Sequence, residues 1–163
     1  MESIEPSAAE ALPVTCRPGT AGFLRSVNAI HRAGYNHGDL HAGNVLFGET
    51  PEGDAFVKVI DHDNAFLEDE NQPERRTEVA VKGFFPRDRI LDGYDVVPAE
   101  YITRDLDVLC CLYISCDLCT EMQGVVREVF GMSLEELVEE FIETGVLPEV
   151  EDVLETVAVG AEE

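Results

Sequence analysis

The sequence predicts an α+β domain, mainly helical, with one small β-hairpin. Three observations predict it. Phe23, Leu24, Val27, Ile30 and His31 fall at i, i+1, i+4, i+7 and i+8, which is one face of a helix. Val45-Leu46-Phe47 and Ala55 to Ile60 are short β-prone runs on either side of a turn with Pro51 and Gly53. Leu106 to Leu118 is a dense apolar stretch of helical length, and two further helical patterns follow it.

Taken in order, residues 1–20 carry three prolines, a glycine and small side chains, and read as a tail or linker. The first helix spans 21–33 and stops at Ala33-Gly34. Residues 35–44 form a compact polar loop dense in His and Asp. The hairpin occupies 45–60. Residues 61–100 have weak periodicity, many charges and scattered Pro and Gly, and long segments of this kind are often functional. Leu106–Leu118 reads as a buried helix, and Val125–Phe130 and Leu134–Ile142 as two more. Leu134, Leu137, Val138 and Phe141 make the packed stripe of the last. The expected division is a tail at 1–20, a core at 21–132 and an acidic helical segment of the same domain at 133–163. No internal repeat is visible.

The chain has 163 residues, enough for one domain with a real core. Its 34 acids against 11 bases give a net charge of −23. That field opposes phosphate backbones and anionic membrane surfaces, so no nucleic-acid or membrane partner is expected. Lys58 and Lys82 are its only lysines, a balance that suits a salt-rich cytosol. No apolar run approaches the roughly 20 residues of a membrane span. Met1 to Pro6 is acidic and unlike a signal peptide, so a cytoplasmic location is expected. Five cysteines, four of them in one apolar stretch, do not resemble a secreted disulfide framework.

The chemistry concentrates in His37-Gly38-Asp39-Leu40-His41-Ala42-Gly43-Asn44, with Asp61-His62-Asp63 starting seventeen residues after Asn44. The loop holds Asp39 and Asn44, and the returning strand delivers Asp61 to the same end of the hairpin. Two carboxylates and an amide oxygen suit a hard cation such as Mg²⁺ together with substrate phosphates. A carboxylate left over can accept a proton from an attacking hydroxyl. That is the apparatus of phosphoryl transfer.

These motifs resemble the catalytic loop of the protein-kinase-like superfamily, H-x-D-x-x-x-x-N, in the form seen in small-molecule kinases such as aminoglycoside phosphotransferases and choline kinases. Asp61-His62-Asp63 stands where protein kinases have D-F-G. The resemblance implies Asp39 as catalytic base and Asn44 and Asp61 as ligands of Mg²⁺. It implies Leu46 and Ile60 as the floor under the adenine of ATP, and His37 as a structural histidine of the loop. Pro98-Ala99-Glu100, following Gly93-Tyr94, is similar to the end of an activation segment. Asp107-Val108 resembles the start of the family's central buried helix, whose aspartate holds the catalytic loop's backbone. The implied fold is the large lobe of a kinase, and the implied activity moves the γ-phosphoryl of ATP to a hydroxyl on a protein or a small molecule.

The departures are specific. Gly38 replaces the arginine that reads a phosphorylated activation loop, His62 replaces Phe and Asp63 replaces Gly. Nothing before residue 21 can be the small N-terminal lobe, and Val79-Ala80-Val81-Lys82 has the look of its lysine strand but lies after Asp61. The expectation is a truncated or split kinase, with a separate N-lobe chain as a candidate partner, or an inactive pseudokinase serving as a binding module. A further alternative makes His37, Asp39, His41 and His62 a His/carboxylate transition-metal centre. Cys116-Asp117-Leu118-Cys119 is a C-x-x-C, but in a continuous apolar helix buried free cysteines are expected.

Overall fold

The structure, a computed structural model, describes residues 3–5, 16–38, 40–49, 51–52, 55–60, 65–67, 84–86 and 96–163. Among them the chain is α+β, with five α-helices and two small antiparallel sheets.

Helix α1, Cys16–Arg32, buries Thr20, Ala21, Phe23, Leu24, Val27, Asn28 and His31 along one stripe. It starts five residues before the expected point. Pro18 is tolerated because first-turn N–H groups have no intrahelical acceptor. The Thr20 hydroxyl donates to Cys16 O at 2.9 Å. The Arg17 guanidinium reaches across to the carbonyls of Gly160 and Ala161, at 2.7 and 3.0 Å. Gly34 ends the helix at φ +92°, a conformation that costs glycine little.

Strand β1, Ser3–Glu5, also lies in the stretch expected to be a tail. It pairs antiparallel with β3, Val45–Glu49, which pairs in turn with β4, Ala55–Val59. The register sets Val45 opposite Val59 and Leu46 opposite Lys58. A pleated strand alternates its faces, so Val45, Val57 and Val59 share one face while Leu46 and Lys58 share the other. The first face meets α1: a Cβ on Gly22 would stand 3.3 Å from Val57 Cγ2. A second sheet is only a pair of two-residue strands, β2 (Tyr35–Asn36) and β5 (Phe66–Leu67).

Helix α2, Arg104–Leu118, is buried almost all round, as a continuous apolar stretch requires. Thr103 caps it, its hydroxyl accepting from Leu106 N at 3.4 Å. The buried Ser115 hydroxyl is satisfied by Cys111 O at 2.8 Å. Helix α3, Met122–Phe130, starts earlier than the expected Val125, and α4 runs Leu134–Thr144 behind a Ser133/Glu136 capping box. Of the expected α4 stripe, Leu137 and Phe141 are fully buried, while Leu134 and Val138 are half-buried.

Helix α5, Val153–Glu162, was hidden in the acidic end of the sequence. Leu154, Val157, Ala158 and Ala161 bury its inner face, and α5 packs against α1 and α3. Arg25 bonds both Glu155 and Glu162, and Arg32 bonds Asp152 at 2.9 Å. One expectation for the cysteines fails: Cys119 is not free but forms a disulfide with Cys16. Cys110, Cys111 and Cys116 are free and buried. The pairing follows from packing, because the start of α1 and the end of α2 meet, which neighbours in sequence do not reveal. Among the described residues, no helix is long and apolar enough to cross a membrane.

Candidate active site

The polar loop begins where α1 and α2 meet. His31 lies in the last turn of α1 and Asp107 in the first turn of α2, both buried. His31 Nε2 donates to Asp107 Oδ2 at 2.6 Å. The same oxygen accepts the backbone N–H of His37 at 3.1 Å, and Asp107 Oδ1 accepts that of Gly38 at 3.1 Å. One buried carboxylate therefore fixes the backbone of His37 and Gly38 by two charge-assisted hydrogen bonds and is itself held by a third, from His31. Burying that charge is tolerable because its partners are all in place.

Gly38 sits at φ +86°. An arginine there would hold its Cβ in the left-handed region, so this backbone path favours the glycine found. His37 is fully buried, and its Nε2 lies 2.8 Å from Ile60 O. A carbonyl oxygen only accepts, so the ring carries its proton on Nε2. Ile60 N–H returns a bond to Asn44 O at 2.9 Å. The loop and the end of β4 are thus tied together at both ends of the loop.

Between them the chain makes a tight 3₁₀ turn, Ala42–Asn44, with Asn44 N–H donating to His41 O at 2.9 Å. His41 Nδ1 accepts the Gly43 N–H at 3.1 Å. A Cβ on Gly43 would stand 2.9 Å from His41 Cε1, so any other residue there would displace the His41 ring. Strand β2 is held at the loop's entry by Arg104, whose guanidinium bonds Asn36 Oδ1 at 3.0 Å and Tyr35 O at 3.4 Å.

Of the expected site residues, the structure brings together His37, Asn44, Ile60 and Asp107. Asn44 is buried, with its backbone bonded on both sides. Leu46 is half-buried in β3, on the face away from α1, and Ile60 is half-buried just past β4. Asp39 and Asp61 lie outside the described residues, as do His62, Asp63 and Val79–Lys82. Asp39 directly follows Gly38 in sequence, and Asp61 directly follows Ile60. Sequence reasoning counted His31 only as part of a helix face and missed its bond to Asp107. The available signal was an ionisable ring on an otherwise apolar stripe.

The two cysteines of the C-x-x-C part company. Cys119 bonds Cys16, while Cys116 lines an open groove of about 700 Å³ beside Tyr113 and Arg127. Burial pushes the Cys116 thiol up to about 11, and raises Cys111 as well. Neither is poised as a nucleophile.

No protein-family model, curated protein or solved structure matches this chain.

Proposed function

We propose that this chain is the large lobe of a protein-kinase-like phosphotransferase, moving the γ-phosphoryl of ATP to a hydroxyl with the help of Mg²⁺. The observation that supports this most is the Asp107 carboxylate, which orients the start of the His37–Asn44 loop while the His37 ring ties that loop to the end of β4. Phosphoryl transfer depends on positioning more than on covalent chemistry, and this is a positioning device. Asp39 would take the proton from the acceptor hydroxyl. Asn44 and Asp61 would hold the metal. Their oxygen donors fit a hard cation, and the Asn44 backbone is fixed by bonds on both sides. Bound there, Mg²⁺ would neutralise charge on the phosphates. Leu46 and Ile60 would lie under the adenine.

The phosphate-binding lysine and glycine-rich cover would come from a further segment or a separate N-lobe chain. The net charge of −23 speaks against nucleic-acid and membrane partners and fits a cytoplasmic protein. The acceptor is a small molecule or a protein side chain.

The test is a titration of the chain with ATP, with and without Mg²⁺, followed by turnover with an added N-lobe. Weak, Mg²⁺-dependent binding that Asp61→Asn abolishes supports the reading, as does turnover that Asp39→Ala removes. Binding that ignores Mg²⁺ would sink it. A completed protein that binds Mg²⁺–ATP yet stays inactive would make it a pseudokinase.

A further inference from the structure

Away from the loop, three helix ends bring two sulfurs and a carboxylate together. Cys16 opens α1, Cys119 caps the C-terminus of α2, and Glu121 stands at the N-cap of α3. One ligand atom from each lies within 4.8 Å of the others. Among the described residues, Glu121 makes no side-chain capping bond and its one ion-pair contact is with Arg17 at 4.0 Å. Arg17 is itself engaged by the last carbonyls of α5. Beside the three lies a depression of about 280 Å³, lined by Cys16, Glu121, Glu162 and Glu163 among others.

We infer that, when the Cys16–Cys119 disulfide is reduced, Cys16, Cys119 and Glu121 bind a thiophilic divalent ion of the zinc class. Two thiolates and one carboxylate are three of the four donors of a tetrahedral site, and the depression admits water or the Glu163 carboxylate as the fourth. At Zn–S distances of about 2.3 Å, two sulfurs sit roughly 3.8 Å apart, a small separation from the bonded pair. Cys16 lies at a helix N-terminus, which favours its thiolate. Cys116 faces the other groove and takes no part.

The chemistry balances with a thiol or phosphine as reductant. Two thiols R–SH give two protein thiols and one R–S–S–R; a phosphine and water give the two thiols and a phosphine oxide. The metal then displaces two protons from sulfur. The disulfide clips two of these helix ends and the metal clips all three, and the redox state selects between them.

The test uses the full chain, reduced with a phosphine, desalted without oxygen and titrated with Co²⁺. The expected result is one tetrahedral cobalt–thiolate absorption per chain, displaced by Zn²⁺. Cys16→Ser and Cys119→Ser should lose it, Glu121→Gln should weaken it at least tenfold, and Cys116→Ser should leave it unchanged. Zn²⁺ should raise the melting temperature of the reduced wild type but not of Cys16→Ser, which keeps the result readable if reduction alone unfolds the chain. Absence of the band in reduced protein, its survival in Cys16→Ser, or equal binding by oxidised protein would overturn the inference.

Discussion

The two ends of α2 are secured by opposite means. At its N-terminal end, Asp107 gathers His31, His37 and Gly38 through hydrogen bonds to one buried carboxylate. At its C-terminal end, Cys119 is joined to α1 by a covalent bond. The first device orients groups as well as joining them: each N–H must point at its oxygen. The second limits how far two helices can separate and says little about what lies near them. The loop with the candidate chemistry stands at the oriented end.

The largest effect expected from breaking this arrangement is at the covalent end. The disulfide spans 103 residues of sequence, and a closed loop of that size constrains the unfolded chain by about 4.7 kcal/mol. Reduction in the presence of a chelator should lower stability by up to that amount in urea unfolding. It should leave the His37 and Gly38 amides protected from hydrogen exchange in the folded population. Loss of that protection on reduction would mean that the two ends are coupled.

At the polar end, Asp107→Ala strands His31 and two backbone donors inside the protein. Leaving buried donors without their acceptor costs about 3 kcal/mol. The sharper readout is local: exchange at His37 and Gly38 should accelerate by more than the stability loss alone predicts, and Mg²⁺–ATP binding should fall. Equal exchange rates, after correction for stability, would deny Asp107 its orienting role.

The smallest effect lies on neither end and serves as a baseline. In the α4 capping box, Ser133 and Glu136 exchange bonds of 3.0 and 3.1 Å. The Ser133 backbone N–H holds the Glu136 carboxyl below its ordinary 4.5. The folded state therefore binds fewer protons than the unfolded one in that interval. The resulting stability is complete above about 4.5 and is lost as pH falls through the lowered folded value. Ser133→Ala should cost about 1 kcal/mol at neutral pH. Glu136→Gln should flatten the acid limb of the stability profile and leave loop exchange unchanged.

Much of this was legible from sequence where the signal is local. The Gly34 stop, the 45–60 hairpin and the buried α2 each follow from periodicity or turn chemistry within a few residues. What was not legible depends on distant partners. Strand β1 is three residues long and exists by pairing with β3. Helix α5 hides its contact face in alanines and valines among acids. The Cys16–Cys119 bond joins residues that nothing in their neighbourhoods relates. At the site, the loop residues stood out by type and spacing, but His31 did not, because its role is visible only once Asp107 faces it.

One contact closes the molecule on itself. Arg17, in the first turn of α1, bonds the carbonyls of Gly160 and Ala161 in the last turn of α5. The helix that leads into the loop and the helix that finishes the fold are therefore neighbours at their outer ends. A domain fused after Glu163 would therefore emerge beside the start of α1, a helix length of roughly 25 Å from the loop that α1 leads into.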